Sequence, residues 1–180
     1  MNRKLIGLVT VSSLAVVILS QTYLSAQETV PQEWEQKSYL ERGNYLVNHL
    51  AECVGCHTPL QPGSDAADRS LFLSGVPEKF AGRTTGPPQI AGYPGANGAR
   101  FYPKNLTPDD ETGLGKWSEA DFVKAFKQGV RPDGSKYEPS AMPWELFRNM
   151  REEDSRAIYR YLRTIKPIRN KVPANIPPKN

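Results

Sequence analysis

Residues 58–117 are rich in glycine and proline, in runs such as Thr84-Thr85-Gly86-Pro87-Pro88 and Gly92-Tyr93-Pro94-Gly95-Ala96-Asn97-Gly98, and carry no periodic apolar pattern. So long a stretch without regular structure does not build a core by itself. It becomes compatible with a compact domain if the loops wrap a large prosthetic group that stands in for the missing core. The residues directly before it supply a means of holding one. Cys53-Val54-Gly55-Cys56-His57 spells the C-x-x-C-H signature of covalent haem attachment. Two thiols three positions apart at a helix end can add to the two vinyl groups of one porphyrin. The histidine after the second thiol is then carried beneath the iron. Attachment of this kind keeps a cofactor that packing alone would not hold in a small fold.

Other uses of the motif fit less well. Cys53 and Cys56 are the only cysteines among 180 residues, and a two-residue gap is a poor disulfide framework. A thioredoxin-like redox pair belongs in a βαβ pattern, which is absent. A zinc site needs a second ligand pair, and the only other histidine is His49. Asp109-Asp110-Glu111 lacks the alternating ligand spacing of a calcium loop and reads as a turn. The net charge is +4, with Arg3 and Lys4 contributing two of the positive charges. No run of interleaved basic and aromatic residues accompanies it, so nucleic acid is not an expected partner.

The N-terminus looks like a targeting segment. Asn2-Arg3-Lys4 leads an apolar stretch from Leu5 to Leu19, the layout of a secretory signal and short for a membrane span. Residues 1–26 are expected to be either a signal cleaved after Ala26 or a retained membrane anchor. Both place the domain outside the cytoplasm, in the periplasm of a bacterium. Residues 27–166 then form one haem domain, and 167–180 a proline-rich tail.

Helical signals flank the loops. Trp34, Tyr39, Leu40, Tyr45, Leu46 and Leu50 recur near helical spacing between Glu33 and Glu52. Gly43 within that stretch marks either the start of a second helical segment or a close helix crossing, and the crossing is the favoured reading. Ser118 and Asp121 form a capping box for a helix with Phe122, Val123 and Phe126 on its apolar face, stopped by Gly129. Pro143 opens a short helix containing Trp144, Leu146 and Phe147. A last helix is expected from about Glu152 to Ile165, ended by Pro167. No strand pattern competes, so the expected class is all-α.

The sixth position on the iron decides what such a haem does. An electron carrier has both axial positions filled by protein, and methionine there raises the potential. An open position would instead suit a haem enzyme or a gas or redox sensor. With Met1 in the targeting segment, Met142 and Met150 are the candidates. Met142, in Ser140-Ala141-Met142-Pro143, ends a loop that is free to present it. Met150 follows an apolar helical stretch, where methionine more often fills core. His49, on the helix leading into the motif, reads as a partly exposed helix residue.

Together these segments resemble the class I cytochrome c family, and most of all the cytochrome c modules of bacterial membrane-bound alcohol and aldehyde dehydrogenases. The resemblance rests on Arg42-Gly43-Asn44-Tyr45-Leu46, on Cys53 to Thr58, and on Tyr102-Pro103-Lys104-Asn105-Leu106-Thr107-Pro108-Asp109. It continues through Glu111-Thr112-Gly113-Leu114-Gly115-Lys116-Trp117-Ser118, Ala141-Met142-Pro143 and Arg169-Asn170-Lys171-Val172-Pro173. It implies helices wrapped around one covalent haem c, with Cys53 and Cys56 as thioether residues and His57 and Met142 as axial ligands. It further implies a loop carbonyl that accepts the second N–H of His57, from Pro103 or from Thr85-Gly86-Pro87. Asn105 and Trp117 stand as haem-propionate donors, or else as a turn residue and a buried aromatic. The expected activity is electron transfer without catalysis, serving a dehydrogenase, a quinol-oxidising complex or a terminal oxidase. The chain departs from the resemblance in having one C-x-x-C-H motif rather than several. Its loop at 89–100 is also longer, and Met150 to Ser155 replace the usual start of the last helix.

Overall fold

The structure, a computed structural model, describes residues 32–82 and 86–179. The proposed targeting segment, the side chain of Trp34, and Thr84 and Thr85 lie outside what is described. Residues 1–35 and 36–180 form separate contact units; of the first, only the opening turn of α1 is described.

Helix α1 spans Gln32–Tyr45 and runs into one wide π turn, Leu46–Leu50, closed by Ala51 N donating to Leu46 O at 2.8 Å. Leu46 and Val47 on that turn are buried. Glu52, in the left-handed region at φ 48°, breaks the chain away into α2, Cys53–His57. Glycine at 43 has a direct reason. A Cβ there would overlap the Ala157 carbonyl and sit 2.7 Å from the Tyr161 Cβ, so this turn of α1 meets α6 (Glu152–Leu162) backbone to backbone. Beside the crossing Arg42 grips Asp154 with two hydrogen bonds, 2.9 and 3.1 Å.

Helix α4, Glu119–Gln128, begins and ends as its sequence dictates. Ser118 Oγ accepts from Asp121 N, the Asp121 carboxylate accepts from Ser118 N, and Gly129 takes the left-handed cap. Its apolar face stacks Phe126 on Phe147 of α5 (Trp144–Phe147) at 4.6 Å, and Phe122 lies 5.7 Å from the Tyr159 ring of α6. Glu119 receives both Arg156 and Arg160 of α6, at 2.8 and 3.1 Å. Leu46, Val47, Leu73, Leu114, Phe122, Phe126, Ile158 and Leu162 make the core. Pro143 is the cap residue of α5 rather than its first helical residue, and α6 ends at Leu162, short of Ile165.

Between His57 and Ser118 the chain is mainly turns, with a short helix α3, Pro88–Ala91, and a two-stranded antiparallel hairpin. Strand β1 (Tyr93–Pro94) faces β2 (Arg100–Phe101) with Tyr93 opposite Phe101. The described chain is thus mostly helical with a little strand. Two-residue strands carry no alternation to read, which is why the hairpin leaves no trace in the sequence pattern. The tail past Pro167 turns back along the loops, and Ile176 pairs with Arg100 at 2.9 Å in both directions.

Candidate haem site

Cys53, Cys56, His57 and Met142 all line one cavity of about 560 Å³. Its walls are mainly apolar and aromatic, including Tyr102, Leu114, Trp117, Phe122 and Phe126, with Lys104, Arg131 and Lys136 adding positive charge. This volume lies within the usual range for cofactor sites. The residues present fit a covalent haem: two thiols, an imidazole and a thioether for attachment and ligation, apolar walls for the macrocycle, and cations for its carboxylates.

His57 is held from behind. Its Nδ1 lies 2.7 Å from the Lys104 carbonyl oxygen. A carbonyl only accepts, so Nδ1 carries the proton and Nε2 is left as the free lone pair. Burial pulls the imidazolium below the usual histidine range, against the opposing effect of the Lys104 carbonyl. The neutral, ligating form is therefore favoured. The carbonyl belongs to the residue after Pro103; the Pro103 carbonyl instead accepts from Val76 N at 3.1 Å. This corrects the proline expectation by one position. A loop packed behind sets the register. Gly75 N donates to His57 O at 2.8 Å, Leu106 N to Leu73 O at 2.9 Å, and Leu73 N to Thr58 Oγ1 at 3.1 Å. Gly75 has φ +76°, and a Cβ there would come within 2.6 Å of the Pro103 oxygen and the Lys104 carbonyl carbon.

The two cysteines differ. Cys53 is buried, and burial pushes its thiol up to about 12, so it is not the activated thiolate of a redox pair. Cys56 is half-buried, and its Sγ lies 2.6 Å from the Tyr93 hydroxyl. Burial and this contact raise the phenol above the usual tyrosine range. Among the described residues, no three His, Cys, Asp or Glu side chains converge on a common point. Asp109 spends its carboxylate on Glu111 N and on Thr112 N and Oγ1, the bonds of a turn.

Of the two candidate methionines, Met142 lines the cavity and Met150 packs against the core outside it. Met142 is carried on a turn, its N bonded to Glu138 O at 2.9 Å and its O to Trp144 N at 2.7 Å. His49 is exposed beside Tyr45 and does not reach the cavity. Trp117 lines it, with its carbonyl tied to the Tyr159 hydroxyl at 2.7 Å. Asn105 does not. Its amide donates to Thr112 Oγ1 and Ile168 O, and its oxygen accepts from Thr107 N and Oγ1. That saturates it as a turn residue, and the propionate role does not fit it.

Sequence reasoning missed several wall residues. The Lys104 ammonium, pushed down to about 8 by burial and the Arg131 charge, donates to Pro173 O at 3.1 Å. Arg131 stacks 4.5 Å from the Tyr137 ring centroid. Tyr93 arrives from the hairpin. None has a local signal, because Lys104 and Arg131 reach the cavity from irregular loops and Tyr93 from a strand of two residues.

No protein-family model matches the chain. One of the subunits of the nicotinate dehydrogenase of Pseudomonas putida is 45% identical over 75 residues, 42% of this chain and 6% of that protein. The fructose dehydrogenase cytochrome subunit of Gluconobacter japonicus is 30% identical over 155 residues, 85% of this chain and 27% of its own. The cytochrome c subunit of the quinone alcohol dehydrogenase of Gluconobacter oxydans is 32% identical over 142 residues, 76% and 24%. The chain spans about a quarter of the length of these two cytochrome subunits. Over most of its own length, then, it resembles the cytochrome c subunits of bacterial dehydrogenases.

Proposed function

We propose that this chain is an electron-transfer c-type cytochrome of the class I fold, with one haem c joined to Cys53 and Cys56 and axially ligated by His57 and Met142. The observation that carries the reading is that these four side chains line one apolar cavity, with His57 already fixed by Lys104 O. The bound haem supplies one-electron exchange at its iron. The chain's own part is to hold and shelter. Lys104 O orients the imidazole and keeps its proton on Nδ1. The turn at Glu138–Met142 presents a soft thioether, which favours a high potential. Phe122, Phe126 and Leu114 exclude water. Arg131, Lys136 and Trp117 offer partners for the propionates. With only two cysteines, one haem is the number this chain can bind covalently by both thioethers.

The relatives' names support service to a dehydrogenase, and the charged, apolar N-terminus supports a place outside the cytoplasm. No helix among the described residues is long and apolar enough to cross a membrane. Residues 1–26 would be the export signal or tether.

The test is spectroscopic. The oxidised holoprotein should show the weak long-wavelength charge-transfer band of methionine-ligated haem. Met142→Ala should lose it while Met150→Ala keeps it. A wild-type protein without the band would overturn the His/Met reading, and one that retains no haem after denaturation would overturn the attachment.

A further inference from the structure

The segment from Pro88 to Phe101, the long loop of the sequence, closes on the attachment helix at two points. From α3, the Gln89 amide donates to Gly55 O at 2.5 Å. From β1, the Tyr93 hydroxyl reaches Cys56 Sγ at 2.6 Å. Both contacts fall on the stretch from Gly55 to Cys56, and Tyr93 itself lines the cavity. The tyrosine is not a loose surface group. Its strand is paired with β2, Tyr93 opposite Phe101, and Gly95 N bonds Ala99 O at 3.0 Å to close the hairpin. At Gly92, φ is +71° and an added Cβ would come within 3.1 Å of the Tyr102 ring, so glycine suits the entry to the strand. The fold therefore uses a helix, a hairpin and a glycine turn to bring one phenol to one sulfur.

We propose that Tyr93 is a positioning residue that tunes the haem by hydrogen bonding to the sulfur of Cys56. The inference rests on the haem reading above. A thioether sulfur has no proton, so with haem attached the phenol is the donor and the sulfur the acceptor. A donor there withdraws electron density from the macrocycle's substituent and stabilises the electron-rich reduced state. Hydrogen bonding around a redox centre is one of the protein's ordinary means of setting its potential. The bond also holds the hairpin against α2, and Gln89 supplies the second anchor.

The experiment is potentiometry on the holoprotein at mildly acidic pH, with haem content and the methionine band recorded on every sample. Tyr93→Phe keeps the ring and removes the hydroxyl. It should shift the redox equilibrium about twofold toward the oxidised form, about 18 mV at 59 mV per tenfold change, with haem content and band unchanged. Site-specific 3-fluorotyrosine at position 93 strengthens the donor and should move the potential the other way. An unchanged potential in Tyr93→Phe overturns the inference. So does a fall in Tyr93→Phe without an opposite movement for fluorotyrosine, since loss of packing alone gives that result. If Tyr93→Phe does not load haem, the fluorotyrosine protein decides, because its ring and hydroxyl both remain. A wild-type protein without haem or without the methionine band strikes the proposed function instead, so the two failures are told apart.

Discussion

At the residue scale the same substitution has opposite signs at two glycines. Replacing glycine by alanine inside a helix is favourable by roughly 0.5–1 kcal/mol when the site is open. Gly55 is exposed and helical, and an added Cβ there would meet nothing within 4 Å, so Gly55→Ala should raise stability by about 0.5 kcal/mol. At Gly43 the new methyl meets the Ala157 carbonyl, which is backbone and cannot rotate away. Overpacking costs about 1–3 kcal/mol and outweighs the helix gain, so Gly43→Ala should destabilise by about 1–2 kcal/mol. Urea midpoints of the holoproteins followed by far-UV circular dichroism decide both, and equal shifts at the two sites would refute the crossing as the cause. Gly43 was legible as a crossing because a glycine in a periodic apolar helix asks for a reason. The carbonyl that orients His57 was not legible to the residue. Pro103 and Lys104 lie next to each other in an extended loop, and which carbonyl faces the imidazole depends on the loop through Gly75 behind them. Asn105 stayed open between two readings for a similar reason: Ile168, a partner that decides for the turn residue, is distant in sequence.

At the element scale, α4 was written out in full by local signals: a capping box, an apolar stripe and a terminal glycine. Its cap also makes a pH prediction. Asp121 is held below the usual aspartate range, first by the Ser118 hydroxyl and next by the Ser118 backbone N–H. A carboxylate whose folded value is depressed adds stability that is present above its unfolded value, about 4, and lost as pH falls through the lower folded value. Wild type should therefore melt above Asp121→Asn at about pH 6. The gap should close progressively as pH drops below about 4. Thermal melts across that range test it, and a gap independent of pH would mean that the charge contributes nothing. The π turn at Leu46–Leu50 and the Tyr93–Phe101 hairpin had no such signals. The first differs from α-helix by one residue per hydrogen-bonded ring, and neither change alters which residue types suit the positions.

At the scale of the whole molecule, the C-terminal residues are what ties the loops behind the haem site together. Ile168 O accepts from Asn105 and Thr107, and the Asn170 amide donates to Ser74 O at 2.7 Å. Pro173 O accepts from Lys104, and Asn175 Oδ1 accepts from Tyr102 N. Every one of these partners lies on, or next to, the loops that carry Gly75 and Lys104, and so on the support of His57. A proline-rich composition suggests a solvated tail, because proline and lysine show no apolar period. The structure instead uses the extended chain as a strap, bonding through backbone atoms that no composition reveals. Removing residues 168–180 should leave covalent haem in place, since attachment needs only Cys53 and Cys56, yet loosen its proximal side. The truncated holoprotein should unfold at lower denaturant and lose its His57 ligation at milder acidity. Asn170→Ala isolates the effect if truncation prevents folding. It leaves the Ser74 carbonyl without its donor, and a part-buried unpaired group costs about 1–3 kcal/mol. Denaturation followed by haem absorbance would read that loss. An Asn170→Ala protein as stable as wild type would show that the strap merely lies on the loops without holding them.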